Sequence, residues 1–251
     1  MTNEESAGIA TLHLFTVPPK RIPQALLHMA ADARRVRSAS GLRFVKLLGT
    51  SSGTTFLPQD ADLGVWGLFT VWDDQPAADR FDADHGVVRG WRKLATREAR
   101  CVLQPIRWKG VWSGSHPFGA DSTHQPAAAT TGPIAVLTRA RIRPLKLVAF
   151  LRAVPPVATD VQTVAGSLLR LGIGEAPIGL QATFSVWEDT AALDQFAYRR
   201  TAHREVVRQT AAQRWYSEEM FARFAVKSAT GAVRGASMEP IQRLVADPRS
   251  G

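Results

Sequence analysis

The stretch FTVWDDQPAADRF, from Phe69 to Phe81, lies without a gap over FSVWEDTAALDQF, from Phe184 to Phe196. Phe69, Val71, Trp72, Asp74, Ala77, Asp79 and Phe81 find Phe184, Val186, Trp187, Asp189, Ala192, Asp194 and Phe196 at the matching positions. VVR recurs at Val87–Arg89 and Val206–Arg208, and an apolar run opens with IA at Ile9 and again at Ile134. A period this long is not that of a solenoid. It predicts two copies of one unit of roughly 110 residues, an ordinary domain size.

Each copy carries the same order of local signals. IATLHLFT suits a pleated strand that a Pro pair ends, and PQALLHMAADARRVRS has helical spacing. GLRFVKLLGTSSG and LGVWGLFTVW read as strands, Asp73 or Asp74 as a helix cap, and ARCVLQPIRWKGVW as a last strand. The pattern restarts with IAVLTRARI, PLKLVAFLRAVP, AGSLLRLGIG, GLQATFSVW, a helical stretch and MFARFAVKSA. The order β-α-β-β-α-β is the ferredoxin-like pattern. Its strands are apolar on both faces: Leu68 and Trp72 on one side, Phe69 and Val71 on the other. A unit whose helices cover one face needs a partner for the other. The expected fold is therefore α+β, two tandem ferredoxin-like units packed sheet to sheet as an internal dimeric α+β barrel. The expected boundaries are 8–112 for the first half, 113–133 for a small polar linker, 134–234 for the second half and 235–251 for a flexible tail. Trp72 and Trp187 end equivalent strands, where a large ring packs against the core or lines a pocket.

Composition narrows the partners. One cysteine, Cys101, excludes an internal disulfide and a Cys-based zinc site, as suits the cytoplasm. No apolar run reaches the roughly 18 residues of a membrane span, and the N-terminus lacks signal-peptide regions. The net charge of +9 divides as +3 before residue 125 and +6 after it, with Arg199, Arg200, Arg204, Arg208 and Arg214 in one short stretch. Such a balance suits an anionic membrane surface or an acidic ligand, or it is simply a solvated face. No helix-turn-helix, zinc-finger or RNP-type motif supports nucleic acid. The expected location is cytoplasmic, including peripheral contact at the inner face of the membrane.

LGIGEAPIGLQATFSVWED, FAYRRTAH and WYSEEMFARFAV, with GLRFVKLLGTSSGTTFLPQDADLGVWGLFTVWDD and WSGSHPF in the first half, resemble the spheroidene monooxygenase family, the acyclic carotenoid ketolases of photosynthetic bacteria. The resemblance spans about residues 8–233. It implies an O₂-dependent monooxygenase that hydroxylates and then ketolates a terminal carbon region of a linear carotenoid. It further implies a haem b cofactor, an apolar small-molecule substrate and an external electron-donor protein. Paired ferredoxin-like barrels are a haem scaffold in chlorite dismutases, dye-decolorising peroxidases and aldoxime dehydratases. Neither a Gly-x-Gly-x-x-Gly fingerprint nor a 2-His-1-carboxylate spacing offers another route to O₂ chemistry. The family's glycine-rich segment usually has a Lys just before its first Gly; here Leu171 stands there, after Arg170. Two other readings stay open: a family enzyme recruited to oxidise another apolar molecule in secondary metabolism, and a non-catalytic haem-binding barrel.

Six histidines are the candidate ligands. His116 and His124 fall in the linker, His28 in an early helix without evident companions, and His13 in a strand as a core histidine. His85 and His203 occupy corresponding places before the two VVR segments. His203 shares a helical face with Val206, Val207, Thr210 and Ala211, which suits an axial haem ligand, and His85 is the alternative. Arg200 and Arg204 are placed to meet haem propionates, Trp187 to line the cofactor, and Arg170 to act as a distal hydrogen-bond donor or to bridge to Glu175. Cys101 reads as ordinary strand, and Trp215 and Tyr216 as packing residues.

Overall fold

The computed structural model describes residues 7–52, 60–122, 130–146, 165–175, 180–199 and 215–247. Nine strands and five α-helices are found among them: β1 (Ile9–Thr16), α1 (Ile22–Val36), β2 (Leu42–Ser51), β3 (Ala61–Trp72), α2 (Gln75–Asp84), α3 (Gly86–Leu94), β4 (Arg97–Gly110), β5 (Ile134–Ile142), β6 (Ser167–Gly174), β7 (Leu180–Trp187), α4 (Thr190–Arg199), β8 (Tyr216–Val233), β9 (Ala236–Ser237) and α5 (Glu239–Ala246). The architecture is α+β around one large antiparallel sheet. Its strand order is β4-β1-β3-β2-β6-β7-β5-β8-β9, and β4 also pairs with β8. No helix among the described residues is long and apolar enough to cross a membrane.

The repeated sequence builds repeated structure. Ile9 pairs with Trp72 and Ala10 with Val71, as Ile134 pairs with Trp187 and Ala135 with Val186. The register slips once between Leu42 and Phe44 and once between Ser167 and Leu169, the same place in each copy. Gly41 and Gly166 enter those strands with φ of +77° and +79°, a region open to glycine and costly for other residues. Their carbonyls accept from Asp73 N at 2.8 Å and Glu188 N at 2.9 Å. The following helices start alike: the Asp74 carboxylate accepts from Ala77 N at 2.8 Å and the Asp189 carboxylate from Ala192 N at 2.7 Å, each satisfying a donor the helix leaves open. Each strand-ending indole then rests on the Phe nine residues later, Trp72 on Phe81 at 4.7 Å and Trp187 on Phe196 at 5.0 Å. Both indoles are buried.

Strand alternation sorts the apolar residues into two layers. On the inner face, Leu12, Phe69 and Leu103 from the first half join Leu137, Phe184 and Phe224 from the second in one shared core. On the outer face, Phe15, Trp66, Leu68 and Trp72 pack beneath α1, α2 and α3. A smaller outer cluster holds Ile134, Val136, Trp187 and Leu193. Two boundaries differ from those expected of the sequence. The stretch after residue 235, read as a loose tail, carries α5, because Met238 and Ile241 find buried apolar positions and Gln242 Oε1 accepts from Ala229 N at 2.9 Å. The start of the small polar stretch also folds in, with Phe118 buried and 5.5 Å from Phe224.

Candidate functional site

The pairing registers set each residue of the first half against a counterpart in the second, and the outer faces then differ in bulk. His13, Phe15, Leu47 and Leu68 in the first half correspond to Thr138, Ala140, Gly172 and Thr183 in the second. Every exchange removes volume. Charge changes too: Val45 corresponds to Arg170 and Val102 to Arg223. At these strand positions the second half therefore carries small residues and two arginines where the first carries bulkier or apolar ones.

Arg170, on β6, places its guanidinium 5.0 Å from the Trp187 ring and 5.4 Å from Phe196, and its Nε donates to Ser167 Oγ at 3.0 Å. Stacking on two rings helps to hold this cation in place. Trp187 donates from Nε1 to Ser185 Oγ at 3.0 Å, which fixes the ring's orientation. Arg223, on β8, lies 5.9 Å from the Phe221 ring and 3.6 Å from the Asp194 carboxylate. The structure therefore brings Arg170 and Trp187 together. His203, Arg200 and Arg204 lie outside the described residues. His85 sits at the N-cap of α3, where its Nδ1 accepts from Val87 N at 3.3 Å, and it stacks on Phe81 at 4.6 Å. Its pKa is lowered, first by burial and then by Arg89, against an opposing pull from Asp32.

Glu175 does not meet Arg170. It turns to the inner face, where it accepts from Lys46 Nζ at 2.5 Å, Trp112 Nε1 at 2.7 Å and Arg139 Nη2 at 3.0 Å. Arg139 also pairs with Glu218, which accepts from Ser113 N at 2.8 Å and Gly114 N at 2.9 Å. Arg139 is 2% exposed, and its Nε has no hydrogen-bond partner. Burial pushes the Glu175 carboxyl upward, but the bonds from Lys46 and Trp112 and the charges of Lys46 and Arg139 outweigh it, so its pKa is lowered. Glu218 is lowered as well, its burial outweighed by Ser113, Gly114 and Arg139. Two cations and two carboxylates balance in this assembly, which bridges the halves. Sequence reasoning missed it. The available signal was an arginine in an apolar alternation: IAVLTRAR laid on IATLHLFT sets Arg139 against Leu14.

A third polar group lies under α2 and α3. His13, fully buried, faces Glu98 at 3.3 Å and Asp82 at 3.7 Å through Nδ1. These three residues have ligand-like spacing, but Arg92 already bridges the two carboxylates, at 2.6 Å to Asp82 and 2.7 Å to Glu98. His28, expected to stand alone, bonds the buried Asp32 at 2.8 Å one helical turn on. The Cys101 thiol is buried and pushed up to about 12 by that burial, which leaves it an inert core residue.

The chain is 31% identical over 228 residues to the spheroidene monooxygenase of Rhodobacter capsulatus, covering 90% of this chain and 93% of that protein. It is 36% identical over 197 residues to the spheroidene monooxygenase of Rubrivivax gelatinosus, covering 78% of this chain and 73% of that one. No protein-family model matches. Among solved structures, an aldoxime dehydratase in complex with butyraldoxime superposes with a TM-score of 0.56 over 87% of this chain and 79% of that chain. At 10% identity that likeness concerns the fold alone.

Proposed function

The chain belongs to the spheroidene monooxygenase family, whose named relatives are monooxygenases, and from that premise we propose that it oxidises a terminal carbon region of a linear carotenoid with O₂. Two hydroxylations at one CH₂ give a gem-diol, which loses water to leave a ketone. Each hydroxylation takes one O₂ and two electrons and releases the second oxygen as water, so an external electron-donor protein is part of the proposal. The observation that carries the reading is identity sustained over nine-tenths of the chain.

We place the site on the outer face of the second half, within two tandem ferredoxin-like units that close into an internal dimeric α+β barrel. The boundaries are the expected ones, extended to include α5. Two pairings support that architecture. Gly49 and Gly174, counterparts in the two copies, pair with each other, and Gln104 pairs with Ala225 with symmetric neighbours, Leu103 with Val226 and Pro105 with Phe224. That is the mark of a pseudo-two-fold axis.

A haem b suits the residues present. Thr138, Ala140, Gly172 and Thr183 are smaller than the residues at the corresponding positions of the first half, and Arg223 adds a cation to the same face. His203 would hold the haem iron, and Arg200 and Arg204, close to it in sequence, would meet the propionates. Bound there, haem would supply the O₂ activation that no side chain provides. The chain's own part is positional. Trp187 and Phe196 wall the site and exclude water, and Arg170, held over both rings, presents a fixed donor.

The test is conversion of an acyclic carotenoid under ¹⁸O₂ with a reducing system, alongside the absorption spectrum of the purified protein. Labelled ketone with a Soret band supports the proposal, and its loss in His203→Ala but not His85→Ala supports the ligand. Conversion without a Soret band would keep the reaction and discard the haem. A Soret band without turnover would favour the non-catalytic reading.

A further inference from the structure

The faces of α1 and α3 that point to solvent expose no acid. Lys20, Arg21, Arg34, Arg35, Arg37, Arg89 and Lys93 are all exposed on or beside these two helices. Asp32 is the only acidic residue in either, and it is buried between His28 and Arg35. Arg92 turns inward to Asp82 and Glu98. Between the basic ends of α1, Leu26 is 50% and Leu27 70% exposed, and Pro23, Ala30 and Ala31 are exposed around them. The helix is anchored from behind by Ala25, Asp32 and Val36, so the leucines have no place in the core. On α2, by contrast, the exposed Arg80 is outnumbered by Asp79 and Asp84.

We propose that the face formed by α1 and α3 docks on an anionic lipid bilayer, with Leu26 and Leu27 entering the headgroup boundary and the seven cations lying over the lipid phosphates. A helix that lies in an interface combines exposed Leu with a Lys/Arg rim, which is the composition found here. A second copy of the chain is disfavoured, because it would set seven cations against seven. A protein partner usually anchors on exposed Trp, Tyr and Arg together; this face presents arginines but no exposed Trp or Tyr, since Trp91, the only such ring on the two helices, is buried. The purpose rests on the reading of an apolar substrate, since an enzyme seated on the bilayer meets a carotenoid where it dissolves. The contact itself needs neither substrate nor cofactor, so failure of either proposal leaves the other standing.

The experiment is co-sedimentation of the full chain with vesicles of phosphatidylcholine, alone or with about 30% phosphatidylglycerol, at low and high salt. The wild type is expected to bind the anionic vesicles at least about tenfold better and to lose most of that in high salt. Leu26→Ser with Leu27→Ser, and Arg34→Glu with Arg37→Glu, should each weaken binding about tenfold or more while Arg80→Glu leaves it unchanged. All are exposed positions, and circular dichroism and the thermal midpoint confirm that each variant is folded. Equal partitioning to both vesicle types, or none, overturns the proposal. So does full binding by both double variants, or a loss confined to Arg200→Glu with Arg204→Glu and Arg208→Glu, which would move the contact to that segment.

Discussion

Replacing Glu175 by Gln keeps the shape of the side chain and removes its charge. Arg139, 2% exposed, then keeps Glu218 as its only carboxylate partner, and Lys46 keeps Ser113 Oγ at 2.6 Å. Removing one member of a buried ionic assembly costs about 3–5 kcal/mol when a charge is left unpaired. Here a second carboxylate remains, so we take the lower end, about 3 kcal/mol. For a chain of this size that lowers the thermal midpoint by roughly 6–12 °C. Arg139→Leu has a precedent in the same molecule, since Leu14 fills the corresponding place. Combined with Glu175→Gln it should recover at least about 1 kcal/mol relative to the sum of the single changes. The assay is urea unfolding of the four proteins at neutral pH and again in acid. The folded-state pKa of Glu175 is lowered, so its contribution is complete above the ordinary carboxylate range and is lost as pH falls through the folded value. The gap between wild type and Glu175→Gln should therefore narrow in acid. A Glu175→Gln variant within about 0.5 kcal/mol of wild type, or an additive cycle, would refute the reasoning.

Gly41→Ala and Gly166→Ala should destabilise by similar amounts, about 1–3 kcal/mol each, because both glycines have positive φ and a Cβ would stand 2.8 Å from Ala77 Cβ and 2.6 Å from Ala192 Cβ. Denaturant midpoints measure this, and a large effect at only one of the two would break the correspondence of the copies. Glu98 has a pKa lowered to about 2, its burial outweighed by His13 and Arg92, so it stabilises fully above the ordinary carboxylate pKa and progressively less as pH falls toward 2. Glu98→Gln should flatten that acid limb in thermal melts, and an unchanged pH profile would count against the His13–Glu98–Arg92 contact.

Much of this was legible in the sequence because it is local. The alternation of Leu68, Phe69, Val71 and Trp72 sets the two faces of β3, and Asp74 three residues before Ala77 sets the start of α2. Copying those signals at Phe184–Phe196 copies the strand, the cap and the stacked Trp–Phe pair. The helical turn from His28 to Asp32 was also within reach, since i and i+4 share a face. Which family the chain joins was readable from its longer motifs. The tertiary structure alone decided where each charge went. Arg139 and Arg170 both lie on strands of the second half, yet one is sealed inside against Glu175 and Glu218 and the other stacks outside on Trp187 and Phe196. Lys46 reaches Glu175 across 129 positions of sequence. Periodicity tells which side of its own strand a residue leaves from, but a charge is satisfied by whatever the folded chain brings opposite it, and that depends on closure of a sheet whose neighbours, β2 with β6 and β4 with β8, come from different halves.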